Sequence, residues 1–185
     1  MQTLYRSTRD PKGQTITASQ AVLQGLSPDG GLYVPTSIPE IDLDLNELKD
    51  LSYQDLAYKI LRLLFSDYTD EELRSCIDKA YGDQWDTQEI APVDYHADNA
   101  YLELFHGPTI AFKDVALQLL PHLMTVAAKK NGSDKDIVIL TATSGDTGKA
   151  AMAGFADVPH TQIIVFYPKD GVSAIQEKQM LTQTG

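Results

Sequence analysis

Lys113 stands in an apolar run, Ile110-Ala111-Phe112-Lys113-Asp114-Val115, just after the break His106-Gly107-Pro108 that follows Leu102-Glu103-Leu104-Phe105. If Ile110, Phe112 and Val115 pack around it, its amine loses hydration, and desolvation favours the neutral, nucleophilic form over the ammonium. Lysines that form Schiff bases with carbonyl compounds work in such surroundings. A lysine that lays its stem on the core and its head in water leaves the same pattern in a sequence. A second motif is needed to separate the two.

Thr141-Ala142-Thr143-Ser144-Gly145-Asp146-Thr147-Gly148 follows the apolar run Ile137-Val138-Ile139-Leu140. Strand, tight loop and helix are the expected order, with Ile137 to Leu140 buried on both faces as in a parallel sheet and a helix over 147–155. Gly145 and Gly148 allow a sharp turn, and the small residues Ala150, Ala151, Ala153 and Gly154 let the helix approach the sheet closely. Such a loop presents backbone N–H groups at the carboxyl edge of a sheet, where open α/β folds bind anionic groups. An ordinary helix start capped by Ser144 or Asp146 is the plainer reading of the same residues. A nucleotide-binding loop ending at Gly145-Asp146-Thr147-Gly148-Lys149-Ala150 is excluded twice: Thr143 stands where its first glycine belongs, and Ala150 where Ser or Thr must hold Mg²⁺.

The elements that must position these residues begin at Tyr101. A strand over 101–105, a helix from about Phe112, a strand over 137–141, a helix, and a strand over 162–166 alternate β and α, which predicts a parallel sheet with right-handed crossovers. Pro121 must kink or stop the helix after Lys113, and Ser173-Ala174-Ile175-Gln176 opens a last helix. The first 100 residues read as a helix-rich accessory domain with a short extended piece at 31–34. Ser52-Tyr53-Gln54-Asp55 and Thr69-Asp70-Glu71-Glu72 start helices there, and 85–98 is read as a connection. The fold class expected is therefore α/β: residues 1–100 helix-rich, and 101–185 the first part of a parallel βαβ domain.

With 185 residues, 43% of them hydrophobic, the chain can bury a core. Its net charge of −11 argues against nucleic acid or an anionic membrane surface as partner. No apolar run is long enough to span a bilayer and Met1 to Tyr5 carries no signal-peptide pattern. One cysteine, Cys76, leaves no internal disulfide and suits a reducing cytoplasm; its place among Leu73, Ile77 and Ala80 reads as packing. His96, His106, His122 and His160 lack ligand spacing for a metal, and His106, in the motif loop, is read chiefly as a hydrogen-bonding residue.

The segments His106-Gly107-Pro108-Thr109-Ile110-Ala111-Phe112-Lys113-Asp114 and Thr143-Ser144-Gly145-Asp146-Thr147-Gly148 closely resemble the threonine synthases, pyridoxal-phosphate enzymes of the tryptophan-synthase-β fold group (fold type II). Tyr5-Arg6-Ser7-Thr8-Arg9, the helix around Ser19 to Val22, and Gly25-Leu26-Ser27-Pro28-Asp29-Gly30-Gly31-Leu32-Tyr33-Val34-Pro35 resemble the opening of members with a separate N-terminal domain. Relatives such as serine dehydratases and cysteine synthases usually carry Asn where Asp146 stands.

The resemblance implies a lyase that converts O-phospho-L-homoserine and water to L-threonine and phosphate. It implies Lys113 as the residue that binds pyridoxal 5'-phosphate and then shuttles protons, Asp146 beside the cofactor, and Ser144, Gly145, Thr147 and Gly148 around the substrate carboxylate. The family's glycine-rich phosphate loop and the partner of its pyridine nitrogen are expected beyond Gly185. The chain by itself is therefore expected to be inactive, to hold cofactor weakly or not at all, and to self-associate through a truncated sheet edge. A pyridoxal-phosphate serine or threonine dehydratase, or a non-catalytic module of the same fold, would share Lys113 or the fold.

Overall fold

The computed structural model describes residues 2–41, 44–143 and 145–185; Ser144, one of the expected site residues, lies outside the described residues. Two compact units form, Met1–Asp78 with Leu123–Asp134, and Lys79–His122 with Lys135–Gly185.

In the first unit, β1 (Tyr5–Ser7) lies between β2 (Thr15–Ile16) and β3 (Tyr33–Pro35), antiparallel to both. This three-stranded sheet is more than the one extended piece expected, because strands of two or three residues are too short to show an alternating pattern. It joins the two amino-terminal motifs: Ser7 Oγ donates to Asp29 Oδ1 (2.7 Å), which also accepts from Gly31 N–H (2.8 Å). Those bonds, the Ser7 hydroxyl foremost, hold the Asp29 carboxyl below its ordinary range.

Helix α1 (Ala18–Gln24) starts at a capping box in which Thr17 Oγ1 takes Gln20 N–H and Gln20 Oε1 takes Thr17 N–H. The short α2 (Leu45–Leu48) is capped by Asp44, and α3 (Tyr53–Leu64) by Ser52, as the sequence pattern predicts. Helix α4 (Asp70–Ala80) is capped reciprocally by Thr69 and Glu72. Leu73, Cys76 and Ile77 of α4 are buried, which confirms Cys76 as a packing residue. Burying Leu73 and Ile77 stabilises the unit by roughly 1.5–3 kcal/mol each. Tyr68 is buried beside them with its hydroxyl on the Leu123 carbonyl (3.0 Å), and burial pushes that phenol far above its ordinary range.

The second unit opens with β4 (Val93–His96) and β5 (Asn99–Leu102), an antiparallel hairpin turning at Ala97-Asp98. The strand expected over 101–105 is thus shorter, shifted, and paired with its sequence neighbour instead of entering a parallel sheet. Ala97 takes the left-handed conformation (φ 51°) without the Asn-Gly or Asp-Gly pair that usually marks such a turn, which is why 85–98 reads as mere connection.

After α5 (Asp114–Leu117) the chain stops and restarts as α6 (Leu120–Lys130). Pro121 is the second residue of α6, where its missing N–H breaks no helical bond. Then β6 (Ile137–Ala142), α7 (Asp146–Phe155) and β7 (Thr161–Phe166) form a β–α–β unit, the strands parallel from Ile137↔Thr161 to Ala142↔Phe166. Helix α8 (Ala174–Leu181) follows, capped by Ser173 and Gln176. Helix α7 packs through Gly148, Ala150, Ala151, Gly154 and Phe155. Across the two strands, Val138, Leu140, Ile164 and Phe166 are exposed on one face. Among the described residues no helix is long and apolar enough to cross a membrane.

Candidate active site

Lys113 caps the amino end of α5 with helical backbone angles (φ −66°, ψ −22°), at the close of a loop that starts at Gly107. The loop is wound by its own backbone: Ile110 N–H donates to the Gly107 carbonyl (3.0 Å) and Asp114 N–H to the Ala111 carbonyl (3.0 Å). Its centre is the Asp114 carboxylate, 0% exposed, which accepts from Thr109 N–H at Oδ2 (2.8 Å) and from the Thr109 hydroxyl at Oδ1 (2.7 Å). A Cβ on Gly107 would fall 2.6 Å from that carboxylate, so the chain can pass there only without a side chain. Ile110 is held at φ +60°, a conformation that β-branched residues rarely adopt.

Ile110 (70% exposed) and Phe112 (60% exposed) face outward, so the apolar enclosure expected around Lys113 is not formed by its own neighbours. The lysine is half-buried, with Nζ 4.4 Å from the centroid of the Phe112 ring. Among the described residues no carboxylate is paired with it in an ion pair. An ordered backbone, an amine not tied into a salt bridge and an aromatic face beside it suit a carbonyl-binding lysine.

His106 fixes the entrance of the loop. Its Nδ1 lies 2.6 Å from Asp86 Oδ1 and its Nε2 2.8 Å from Glu103 Oε2, while its ring stacks on Phe105 at 4.5 Å. A neutral imidazole can donate through only one nitrogen, whereas two flanking carboxylates call for two N–H donors. The bond to Glu103 first, and then Asp86, raise the His106 pKa against the opposing effect of desolvation. This agrees with the hydrogen-bonding role read from the sequence and adds its partners.

The second motif forms the turn from β6 into α7. Gly145, at φ 155° and ψ −110°, holds a conformation open in practice only to glycine. Thr143 Oγ1 accepts from both Gly145 N–H (3.2 Å) and Gly148 N–H (3.3 Å), so two of the expected backbone donors are engaged inside the loop. Asp146 Oδ1 accepts from Gln176 Nε2 (2.7 Å) of α8. Thr147 is exposed and Gly148 buried, a Cβ there colliding with Thr143 and Val165. Lys149 donates to Gln183 Oε1; burial lowers its pKa, with the charge of Asp114 opposing. Among the described residues no cluster of His, Cys, Asp and Glu could hold a metal ion.

Residues 4–81 match the family model described as threonine synthase N terminus. The threonine synthase of Saccharomyces cerevisiae is 40% identical over 194 residues, which cover 97% of this chain and 38% of the yeast protein. That of Pseudomonas aeruginosa is 37% identical, covering 98% of this chain and 38% of its own length. The crystal structure of threonine synthase from yeast superposes with a TM-score of 0.87 at 38% identity, over 96% of this chain and 38% of that one. The chain matches the amino-terminal part of threonine synthases. It spans 38% of the length of those curated relatives.

The same holds of a PLP-bound threonine synthase from Brucella melitensis, matched with a TM-score of 0.85 at 34% identity over 96% of this chain. The mixed α/β fold with a small parallel sheet is that of these threonine synthases, whose amino-terminal part the chain matches. Within it, sequence reasoning singled out Lys113, Gly145, Asp146, Thr147 and Gly148 but missed the groups that hold them. Thr109 and Asp114 stand in the first motif and Thr143 in the second without a holding role read from the sequence, Gln176 is read only as part of a helix start, and Asp86 is not singled out. A signal for the first pair was present: a Thr and an Asp flanking four residues, preceded by Gly107-Pro108, is a pattern that a side-chain-closed loop produces.

Proposed function

We propose that this chain is the amino-terminal part of an enzyme that converts O-phospho-L-homoserine and water to L-threonine and phosphate, with pyridoxal 5'-phosphate bound at Lys113. The observation that carries the reading is the presentation of Lys113, unpaired with any carboxylate among the described residues, at the end of a loop wound on the buried Asp114. When bound, pyridoxal phosphate supplies an electron sink for bonds at the substrate's α-carbon. Lys113 Nζ would hold the cofactor and would carry protons between substrate carbons. The Phe112 ring lies beside that amine. Ser144, Gly145, Thr147 and Gly148 would bind the substrate carboxylate, and Thr143 Oγ1 closes the turn through the Gly145 and Gly148 N–H groups. Asp146, steadied by Gln176, would serve the cofactor.

Residues 1–100 serve as the accessory domain and 101–185 as the first part of the catalytic domain, in the cytoplasm. The exposed Val138, Leu140, Ile164 and Phe166 support the further proposal that the chain alone self-associates through its β6–β7 sheet.

The test is turnover by the protein in which this chain is continued by the rest of its coding sequence. Release of phosphate with formation of L-threonine from O-phospho-L-homoserine, and no deamination of L-serine, supports the reading. Deamination of serine without threonine formation makes it a dehydratase. Turnover of neither makes it a non-catalytic relative.

A further inference from the structure

The Gly107–Asp114 loop spends an unusual amount of structure on one turn. A carboxylate with no exposed surface is costly to bury, and the fold buries this one against a single residue, Thr109, through two hydrogen bonds. Gly107 gives up its side chain to make room for it, and Ile110 is held in the left-handed region between them. Strained backbone of this kind persists where the surroundings over-determine it, commonly next to reacting groups.

Asp114 also directly follows Lys113, and both residues have entered the first turn of α5. Side chains of successive helical residues diverge by about 100° around the axis. With residue 114 anchored inward, residue 113 is turned away from it around the axis and is only half-buried.

We infer that Asp114 and Thr109 are the positioning residues of the Lys113 amine: their paired hydrogen bonds set the direction in which the loop delivers residue 113 to a carbonyl cofactor. The inference rests on the proposed cofactor role of Lys113.

The experiment uses the protein in which this chain is continued by the rest of its coding sequence and traps pyridoxal phosphate on it with a borohydride reductant at a cofactor concentration well below saturation. Peptide mapping then gives the ratio of adduct on Lys113 to adduct on the exposed Lys129. In the unaltered chain Lys113 is favoured. Thr109→Val, which keeps the size but removes the hydroxyl donor, lowers the ratio at least about tenfold, as loss of orientation does. Thr109→Ser, which keeps the donor, restores it. Asp114→Asn gives the same loss where far-ultraviolet circular dichroism shows it folded; Thr109→Val decides where it does not.

A purely structural clamp would lower the melting temperature in Thr109→Val and leave the labelling ratio alone. A ratio within about twofold of the unaltered chain in Thr109→Val, or equally low in Thr109→Ser, overturns the positioning role while Lys113 keeps its own. A ratio near one in the unaltered chain overturns both the role of Lys113 and the inference built on it.

Discussion

Lys113 makes no ion pair among the described residues and is half exposed, so its ammonium contributes little to holding the fold. Lys113→Ala should change unfolding free energy by no more than about 0.5 kcal/mol. In the continued protein it should abolish threonine formation, and arginine should not replace it, since guanidinium stays charged. Urea melts beside turnover measurements check both halves. Thr109→Val, by contrast, leaves a buried carboxylate oxygen without its hydroxyl donor and should cost about 1–3 kcal/mol. His106 sets a pH dependence. Asp86 and Glu103 raise its folded pKa above the unfolded value, so its contribution is complete below about 6.5 and is lost as pH rises through the raised value. His122 has the opposite sign: burial lowers its pKa, so it costs stability as pH falls below about 6.5. His106→Gln should therefore remove the loss of stability as pH rises above about 6.5 and keep the acid-side loss from His122; urea midpoints measured on both sides of that pH read the difference.

Helices α5 and α7 meet where Gly154 leaves room for the Leu117 carbonyl oxygen, which a Cβ would strike. Gly154→Ala should destabilise by about 1–3 kcal/mol through overpacking and lower the melting temperature. Gly145→Val should act differently, because Gly145 sits in the turn itself at φ 155° and beside Gln176. It should impair use of O-phospho-L-homoserine more than it lowers the melting temperature; unchanged turnover with lowered stability would mark the turn as only structural. These elements differ in how far the sequence exposed them. Ile137 to Leu140 and Ile163 to Phe166 are continuous apolar runs flanking a small-residue helix, and their parallel pairing follows from that pattern. The caps at Ser52, Thr69 and Ser173 follow from side chains that can reach the next turn. The β4–β5 hairpin does not, since Tyr101-Leu102-Glu103-Leu104-Phe105 says strand without saying which partner, and Ala97 disguises the turn. Nor does the solvent-facing position of Ile110 and Phe112, because apolar residues beside a lysine look alike whether they enclose it or face outward.

For the molecule as a whole, a parallel sheet open to water on one face is the feature with most consequence, since such sheets are ordinarily covered on both. Sedimentation of the chain should show association that grows with concentration, and Leu140→Lys with Ile164→Lys should return it to monomer. A chain that stays monomeric without those changes would mean the face is tolerated as it stands. Cofactor affinity should be equally limited, because much of the energy of binding a phosphate comes from a preorganised nest of backbone donors, and only the lysine side of the site is expected within these residues. The central claim is that Lys113 is the cofactor-binding residue. Borohydride reduction of the continued protein loaded with pyridoxal phosphate, followed by peptide mapping, tests it most directly: the account predicts one stable adduct, on the peptide containing Phe112-Lys113-Asp114, and an adduct on any other lysine with that peptide unmodified would contradict it.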